Sequence, residues 1–113
     1  MACTPTDAWC ALEMRVGRVV RAEPFPEARK PAYRLWIDFG PEGGGVRPSS
    51  AQLTDRYRAQ ALVGRLVVAV TNLPPKRIAG FVSEVLVLGV PDVQGATVLL
   101  TPDDEVPLGS RVY

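Results

Sequence analysis

The chain has 113 residues, 47% of them hydrophobic and 22% charged, so it is long enough to bury a core without disulfides or metals. Its 13 basic and 12 acidic residues give a formal net charge of +1, and any site for a polyanion must therefore be a local patch. The sequence contains no histidine, which excludes a histidine-based catalytic triad, histidine metal ligands and a histidine general base.

The cysteines and the distribution of apolar residues indicate the cellular compartment in which we expect the protein. Cys3 and Cys10 do not form a C-x-x-C pair, so we expect two free thiols rather than a zinc or redox motif. No apolar run approaches the ~20 residues that a membrane span needs, and the N-terminus lacks the layout of a signal peptide. We therefore expect a cytoplasmic protein that does not insert into membranes.

The first twelve residues predict a short helix. Thr4 or Thr6 can cap it, and Pro5 suits its first turn. Trp9 and Leu12 would share one side of this helix, which is too short to be stable alone and must pack on another surface.

The remainder of the chain shows the two-residue period of β-strands. The predicted strands are Met14–Glu23, Tyr33–Phe39, Val46–Leu53, Leu66–Val70, Val82–Leu88 and Val98–Leu100. In the first of these we expect Val16 and Val20 to face the same way, with a bulge or tight bend at Gly17 to explain the break in alternation. Pro48 makes the third strand an edge strand at best.

Alternation and the valine-rich fourth strand together predict the core. Its expected members are Leu35, Ile37, Phe39, Val68, Val70, Val85 and Val87. Trp36 is the anomaly, because it lies on the polar face of its strand as a lone surface aromatic or an interface contact.

The order of elements predicts an all-β architecture. A helix of roughly two turns, beginning at Thr54 or Asp55 and ended by Gly64, lies between the third and fourth strands. Parallel pairing is excluded because the crossover helices that it needs are missing. We therefore predict a small five-stranded OB-fold Greek-key barrel. We expect one domain over residues 1–113, with a helical extension at 1–12 and a C-terminal extension at 101–113.

No arrangement of residues predicts catalysis. Ser49 and Ser50 have no histidine to activate them, and the acidic cluster 103–105 lies between prolines as a turn. Gly43 to Gly45 lacks the frame of a phosphate-binding loop. We expect no enzyme, no catalytic residue, no metal and no cofactor.

Two loops carry adjacent basic residues. Arg29 and Lys30 lie in a proline-rich loop, and Lys76 with Arg77 follows the rigid pair Pro74-Pro75. Rigid placement lowers the cost of ordering a phosphate contact, although this composition is also that of an ordinary solvated turn.

Six blocks of the chain carry a family resemblance: Val16–Val20, Phe25–Ala32, Asp38–Gly40, Ser49–Thr54, Asn72–Phe81 and Ser83–Gly89. They resemble the tRNA-binding domain family and, within it, the CsaA group of small export-related chaperones. The resemblance covers roughly Leu12 to Tyr113 and implies an OB-fold that is often dimeric. Pro48 departs from the CsaA-like pattern, in which glutamine is usual, and this bears on the hydrogen bonding of that edge.

The resemblance implies two ligand classes. The first is unfolded preproteins, bound by a chaperone that assists protein export with the Sec translocation motor as a possible partner. The alternative is the outer corner of tRNA, a shape contacted through phosphates and ribose hydroxyls. The tRNA contacts would be Arg29, Lys30, Lys76, Arg77 and Ser83.

A chaperone surface needs exposed apolar side chains next to charge. The candidates for peptide contact are Phe25, Trp36, Ile78 and Phe81, of which Phe25 and Phe81 could instead plug the ends of the barrel. We also expect a homodimer, because the apolar tail would pack across a partner together with the N-terminal helix. Its expected interface residues are Trp9, Leu12, Leu108, Val112 and Tyr113.

Overall fold

The polypeptide winds into a nearly closed antiparallel barrel, seen in a computed structural model that describes residues 3–113. Its helices are α1 (Pro5–Ala11) and α2 (Ala59–Leu62), with a 3-10 turn at Pro41–Gly43. Its strands are β1 (Met14–Pro24), β2 (Tyr33–Asp38), β3 (Val46–Ala51), β4 (Leu66–Val70), β5 (Lys76–Ile78), β6 (Phe81–Ser83), β7 (Leu86–Val87), β8 (Gly89–Pro91) and β9 (Thr97–Leu99).

The main sheet has the order β3-β2-β1-β4-β7, and β5-β6 and β8-β9 form two separate hairpins. This arrangement confirms the predicted all-β fold, with its short helix between the third and fourth strands. The helix α2 is shorter than predicted, because turns occupy the residues after Thr54 before the helix begins at Ala59. Among helices in residues 3–113, none is both long and apolar enough to span a bilayer.

The alternation of β2 correctly predicts which of its residues are buried, whereas the core prediction for β4 is only partly correct. Leu35 and Ile37 are fully buried, as predicted. In β4, however, Val67 and Ala69 belong to the core cluster while Val68 is only half-buried, so the predicted facing of Val68 is wrong. An apolar run carries no polar alternation, and the pattern therefore does not fix which face of the strand points inward.

The irregularity in β1 lies three residues beyond Gly17. Pairing with β2 shifts between Val19 and Arg21, so Val20 is the extra residue of a bulge and is 44% exposed. Val19 replaces it in the core. Gly17 has a different role, because a Cβ atom at this position would lie 2.5 Å from Cγ2 of Ile37. The glycine lets β1 approach the core residues of β2 closely.

A seam of polar contacts brings the edge strand β3 against β6 and the residues that follow it. The amide of Glu84 donates to the carbonyl of Pro48 at 2.9 Å, and the amide of Ser50 donates to Oγ of Ser83 at 3.0 Å. The buried hydroxyl of Ser49 donates to the carbonyl of Val85, in the bend between β6 and β7, at 3.0 Å. Hydroxyl groups thus supply part of the hydrogen bonding that a continuous ladder provides elsewhere.

Helix α1 is held to the barrel by polar contacts. It begins at Thr4, whose side chain accepts from the amide of Asp7 in a capping box. The side-chain amide of Asn72 donates to the carbonyl of Ala11 at 2.7 Å, and Arg111 donates to the carbonyl of Cys10 at 3.1 Å. Every residue of α1 is exposed, so residues 3–113 leave its apolar side chains largely uncovered.

The C-terminal tail pairs with its own β1. The amide of Val16 donates to the carbonyl of Ser110 at 2.9 Å, and the amide of Val112 donates to the carbonyl of Met14 at 2.8 Å. The tail is therefore fixed along its own barrel, and the expected packing of its side chains across a partner stays a prediction. The side chains of Leu108 and Val112 are half-buried, and Tyr113 is fully exposed.

Ile37→Ala tests the core assignment. Removing this fully buried side chain should lower the free energy of unfolding by ~2–5 kcal/mol. Val20→Ala on the bulge should cost less than about 0.5 kcal/mol. Chemical denaturation measures the free energy of unfolding of both variants. A loss of stability in Val20→Ala as large as that in Ile37→Ala would contradict the assignment of Ile37 to the core and of Val20 to an exposed bulge.

Candidate nucleic-acid interface

The residues predicted as a basic loop form a two-stranded ribbon. Lys76 pairs with Ser83 and Ile78 pairs with Phe81 across β5 and β6. The two-residue turn has φ values of +46° at Ala79 and +84° at Gly80. Two successive positive φ values are those of a type I′ turn, whose twist matches that of the strands it joins.

An aromatic row, Phe25–Phe81–Trp36, fixes this ribbon to the barrel. The Phe81 ring packs edge-on against Phe25 at 5.5 Å and against Trp36 at 5.8 Å between centroids. The guanidinium of Arg21 lies 4.5 Å from the centroid of Trp36 on the same outer face. Trp36 is therefore neither isolated nor free, because it anchors the ribbon on the outside of β2.

A basic cleft of about 890 Å³ brings the two predicted basic loops together. Arg29 and Lys30 lie on one wall, and Lys76 and Arg77 lie on the ribbon. All four side chains belong to exposed residues, and within residues 3–113 none of them forms an ion pair within 4.0 Å. The remaining lining residues are Glu27, Ala28, Ala32, Ser50, Gln52, Ile78 and Ala79.

This cleft is suited to a polyanion. Four exposed cations and one acidic residue, Glu27, line the cleft, and each cation is available to pair with phosphate. The lining contains no aromatic side chain on which a base could stack. Across residues 3–113, no three His, Cys, Asp or Glu side chains cluster in a way that could hold a metal ion.

Ser83 pairs with Lys76 across the ribbon, and its hydroxyl is hydrogen-bonded within the barrel. Its hydroxyl accepts from the amide of Ser50 at 3.0 Å and donates to the carbonyl of Val85 at 3.4 Å. It is half-buried and does not line the basic cleft. Its hydroxyl is hydrogen-bonded in the barrel seam under the ribbon, and a phosphate contact at Ser83 stays a prediction.

Two cleft residues, Ser50 and Gln52, were missed as site residues by the sequence analysis. Both lie in the 49–54 block that the family resemblance had singled out. The signal for both residues is the direction in which that block faces at the end of β3. Two-residue spacing places both on one face of the extended chain, and that face borders the cleft.

An apolar groove of about 460 Å³ lies beside the basic cleft. Its apolar lining includes Leu73, Pro74, Ile78, Val85, Leu86 and Val87. Of the four residues predicted to contact peptide, only Ile78 lines this groove. The aromatic candidates are used otherwise, because Phe25 is 3% exposed and both Trp36 and Phe81 pack in the aromatic row.

Comparison with known proteins gives three relevant similarities. Residues 14–111 match the family described as "Putative tRNA binding domain". The crystal structure of chaperone CsaA from Bacillus anthracis is 50% identical, with a TM-score of 0.88, over 99% of this chain and 100% of that one. CsaA from Picrophilus torridus is 42% identical, also with a TM-score of 0.88, over 97% and 99% of the two chains.

A curated relative is a much longer protein. The methionine–tRNA ligase of Methanocaldococcus jannaschii is 35% identical over 101 residues, which is 89% of this chain. The chain spans 15% of the length of that ligase.

Ala79→Asn tests the geometry of the ribbon. Ala79 is the one residue other than glycine with positive φ in residues 3–113, and asparagine tolerates this conformation better. Hydrogen exchange of the β5 and β6 amides should become slower, and Ala79→Val should make it faster because a β-branched residue disfavours positive φ. Exchange rates that are equal in the two variants would contradict the assigned turn.

Proposed function

Because the chain belongs to the tRNA-binding domain family and is of the CsaA type, we propose that its basic cleft binds tRNA. The observation that carries this proposal is the meeting of Arg29 and Lys30 with Lys76 and Arg77 in one cleft. Lysine and arginine are the side chains that pair with phosphate, and unpaired cations from two distant loops make a local patch in a nearly neutral chain.

Recognition in this cleft is by shape. Its polar side chains beyond the cations are Ser50 and Gln52, which can hydrogen-bond ribose hydroxyls or phosphates. Without an aromatic platform in the lining, the cleft suits the backbone of a folded RNA such as the outer corner of tRNA. The role is binding rather than catalysis, and we place it in the cytoplasm, where its ligand is.

A homodimer would present two such clefts. Trp9 and Leu12 of the α1 region are 45% and 38% exposed, and α1 contacts the barrel through polar groups. A second copy of the chain is the proposed cover for these side chains, with Leu108, Val112 and Tyr113 contributing from the tail. Two linked clefts on one RNA raise the effective concentration of the second contact, which compensates for the low net charge.

Chaperone-like peptide binding is the second candidate function, and the apolar groove favours it. Its lining places Leu73, Leu86 and Val87 beside Lys76 and Glu84, a mixture that suits an extended apolar segment. The two similar crystal structures are titled as chaperones. Unfolded preproteins would be the ligands, and the Sec translocation motor would be a partner in their export.

Removing two cations of the ribbon tests tRNA binding. Lys76→Ala combined with Arg77→Ala should weaken binding of labelled tRNA, because two phosphate contacts are lost. The slope of log affinity against log salt should fall by roughly 0.7–0.9 per lost contact. Fluorescence anisotropy across a salt series measures both effects, and thermal stability should stay unchanged because both residues are exposed.

The matched control compares single charges. Arg58 is exposed and does not line the cleft, so Arg58→Ala should have less effect than Arg77→Ala although the net charge changes equally. Similar losses of tRNA affinity in the two single variants would show that binding depends on the overall charge of the protein rather than on the cleft.

Deleting residues 1–11 tests the dimer. The truncated protein should be a monomer in size-exclusion chromatography with light scattering, since the apolar surface that a partner covers is lost. Trp9→Ser combined with Leu12→Ser should have the same effect while keeping the capping box of α1. A dimer that persists in both proteins would show that subunits associate through another surface.

A further inference from the structure

We propose that RNA and unfolded peptide exclude each other on each copy of this protein. This inference rests on the proposed function, which assigns RNA to the basic cleft and peptide to the apolar groove. The two cavities share four lining residues, which we call the ridge: Ser50, Gln52, Lys76 and Ile78.

The ridge is built from two extended segments that are tied together. Lys76 and Ile78 are alternate residues of β5 and lie on one face of it, and Ser50 and Gln52 have the same relation at the end of β3. The hydrogen bond from Ser50 to Ser83, which pairs with Lys76, connects the two segments. The ridge is therefore built on paired, extended backbone rather than on an unpaired loop.

Each ligand needs the same ridge atoms. A phosphate paired with the ammonium of Lys76 brings the RNA backbone over the neighbouring Ile78 side chain. A peptide in the groove covers Ile78, which lines both cavities, and it takes Lys76 out of water. Because Lys76 and Ile78 line both cavities, a ligand that covers these two side chains leaves none of their surface for the other ligand.

The consequence is negative coupling between the two ligands. By linkage, a bound RNA lowers the affinity for peptide by the same factor by which bound peptide lowers the affinity for RNA. Protein loaded with tRNA would hold no unfolded segment in that protomer, and release of the RNA would open the groove.

Competition between labelled tRNA and an uncharged peptide measures this coupling. The probe is a twelve-residue peptide of leucine, valine and serine, whose lack of charge removes direct repulsion from RNA. At a peptide concentration ten times its own Kd, the apparent Kd for tRNA should rise about tenfold, and the reverse titration should give the same factor. An unchanged Kd for tRNA at saturating peptide would overturn the inference.

Bulky labels at single cysteines locate the exclusion. In a protein with Cys3→Ser and Cys10→Ser, a maleimide dye is attached at one of three exposed positions. A label at Gln52→Cys on the ridge should lower the affinity for both ligands at least tenfold. A label at Glu27→Cys should lower only the affinity for tRNA, and a label at Leu86→Cys should lower only the affinity for peptide.

The outcomes separate this inference from the function on which it rests. If both ligands bind alone and also bind together, mutual exclusion is wrong and the proposed function stands. If a ridge label weakens only one ligand, the shared wall is not the cause and the inference fails. If tRNA or the peptide does not bind the unlabelled protein at all, the corresponding proposed function fails, and the exclusion fails with it.

Discussion

The packing of the Phe81 ring between Phe25 and Trp36 is the contact on which the binding surface depends. A ribbon of two three-residue strands is not stable in water by itself, and this one carries a strained alanine in its turn. The aromatic row holds the ribbon on the outer face of β2 and so positions Lys76 and Arg77 opposite the other basic loop. The cations thus owe their arrangement to an apolar contact behind them.

The sequence predicted the fold wherever polar and apolar residues alternate. In β2 every second residue is apolar, and Leu35 and Ile37 are buried as the pattern requires. In β4 the apolar run is uninterrupted, and only the pairing with β1 decides that Val67 rather than Val68 faces the core. The break in alternation indicated an irregularity in β1, but its place at Val20 depends on pairing with β2, which no local pattern encodes.

The binding surface was predictable in its charges but not in its assembly. Adjacent basic residues at 29–30 and 76–77 are visible in the sequence, whereas their convergence in one cleft is a property of the folded barrel. Residue type does not indicate the internal hydrogen bonds of Ser83, because a hydroxyl can bond to the backbone as well as to a phosphate. Trp36 on a polar face was the one local signal that something packs there, and its partner Phe81 comes from a distant segment.

The serine-rich seam between β3 and β6 links ligand binding to the stability of the barrel. A seam that relies partly on hydroxyl groups is a natural place for the barrel to open transiently, since fewer ladder bonds must break. The ridge spans this seam, with one pair of its residues on each side. A ligand bound at the ridge would contact both sides of the seam. Binding of either proposed ligand should therefore raise the resistance of the whole barrel to opening and to proteolysis.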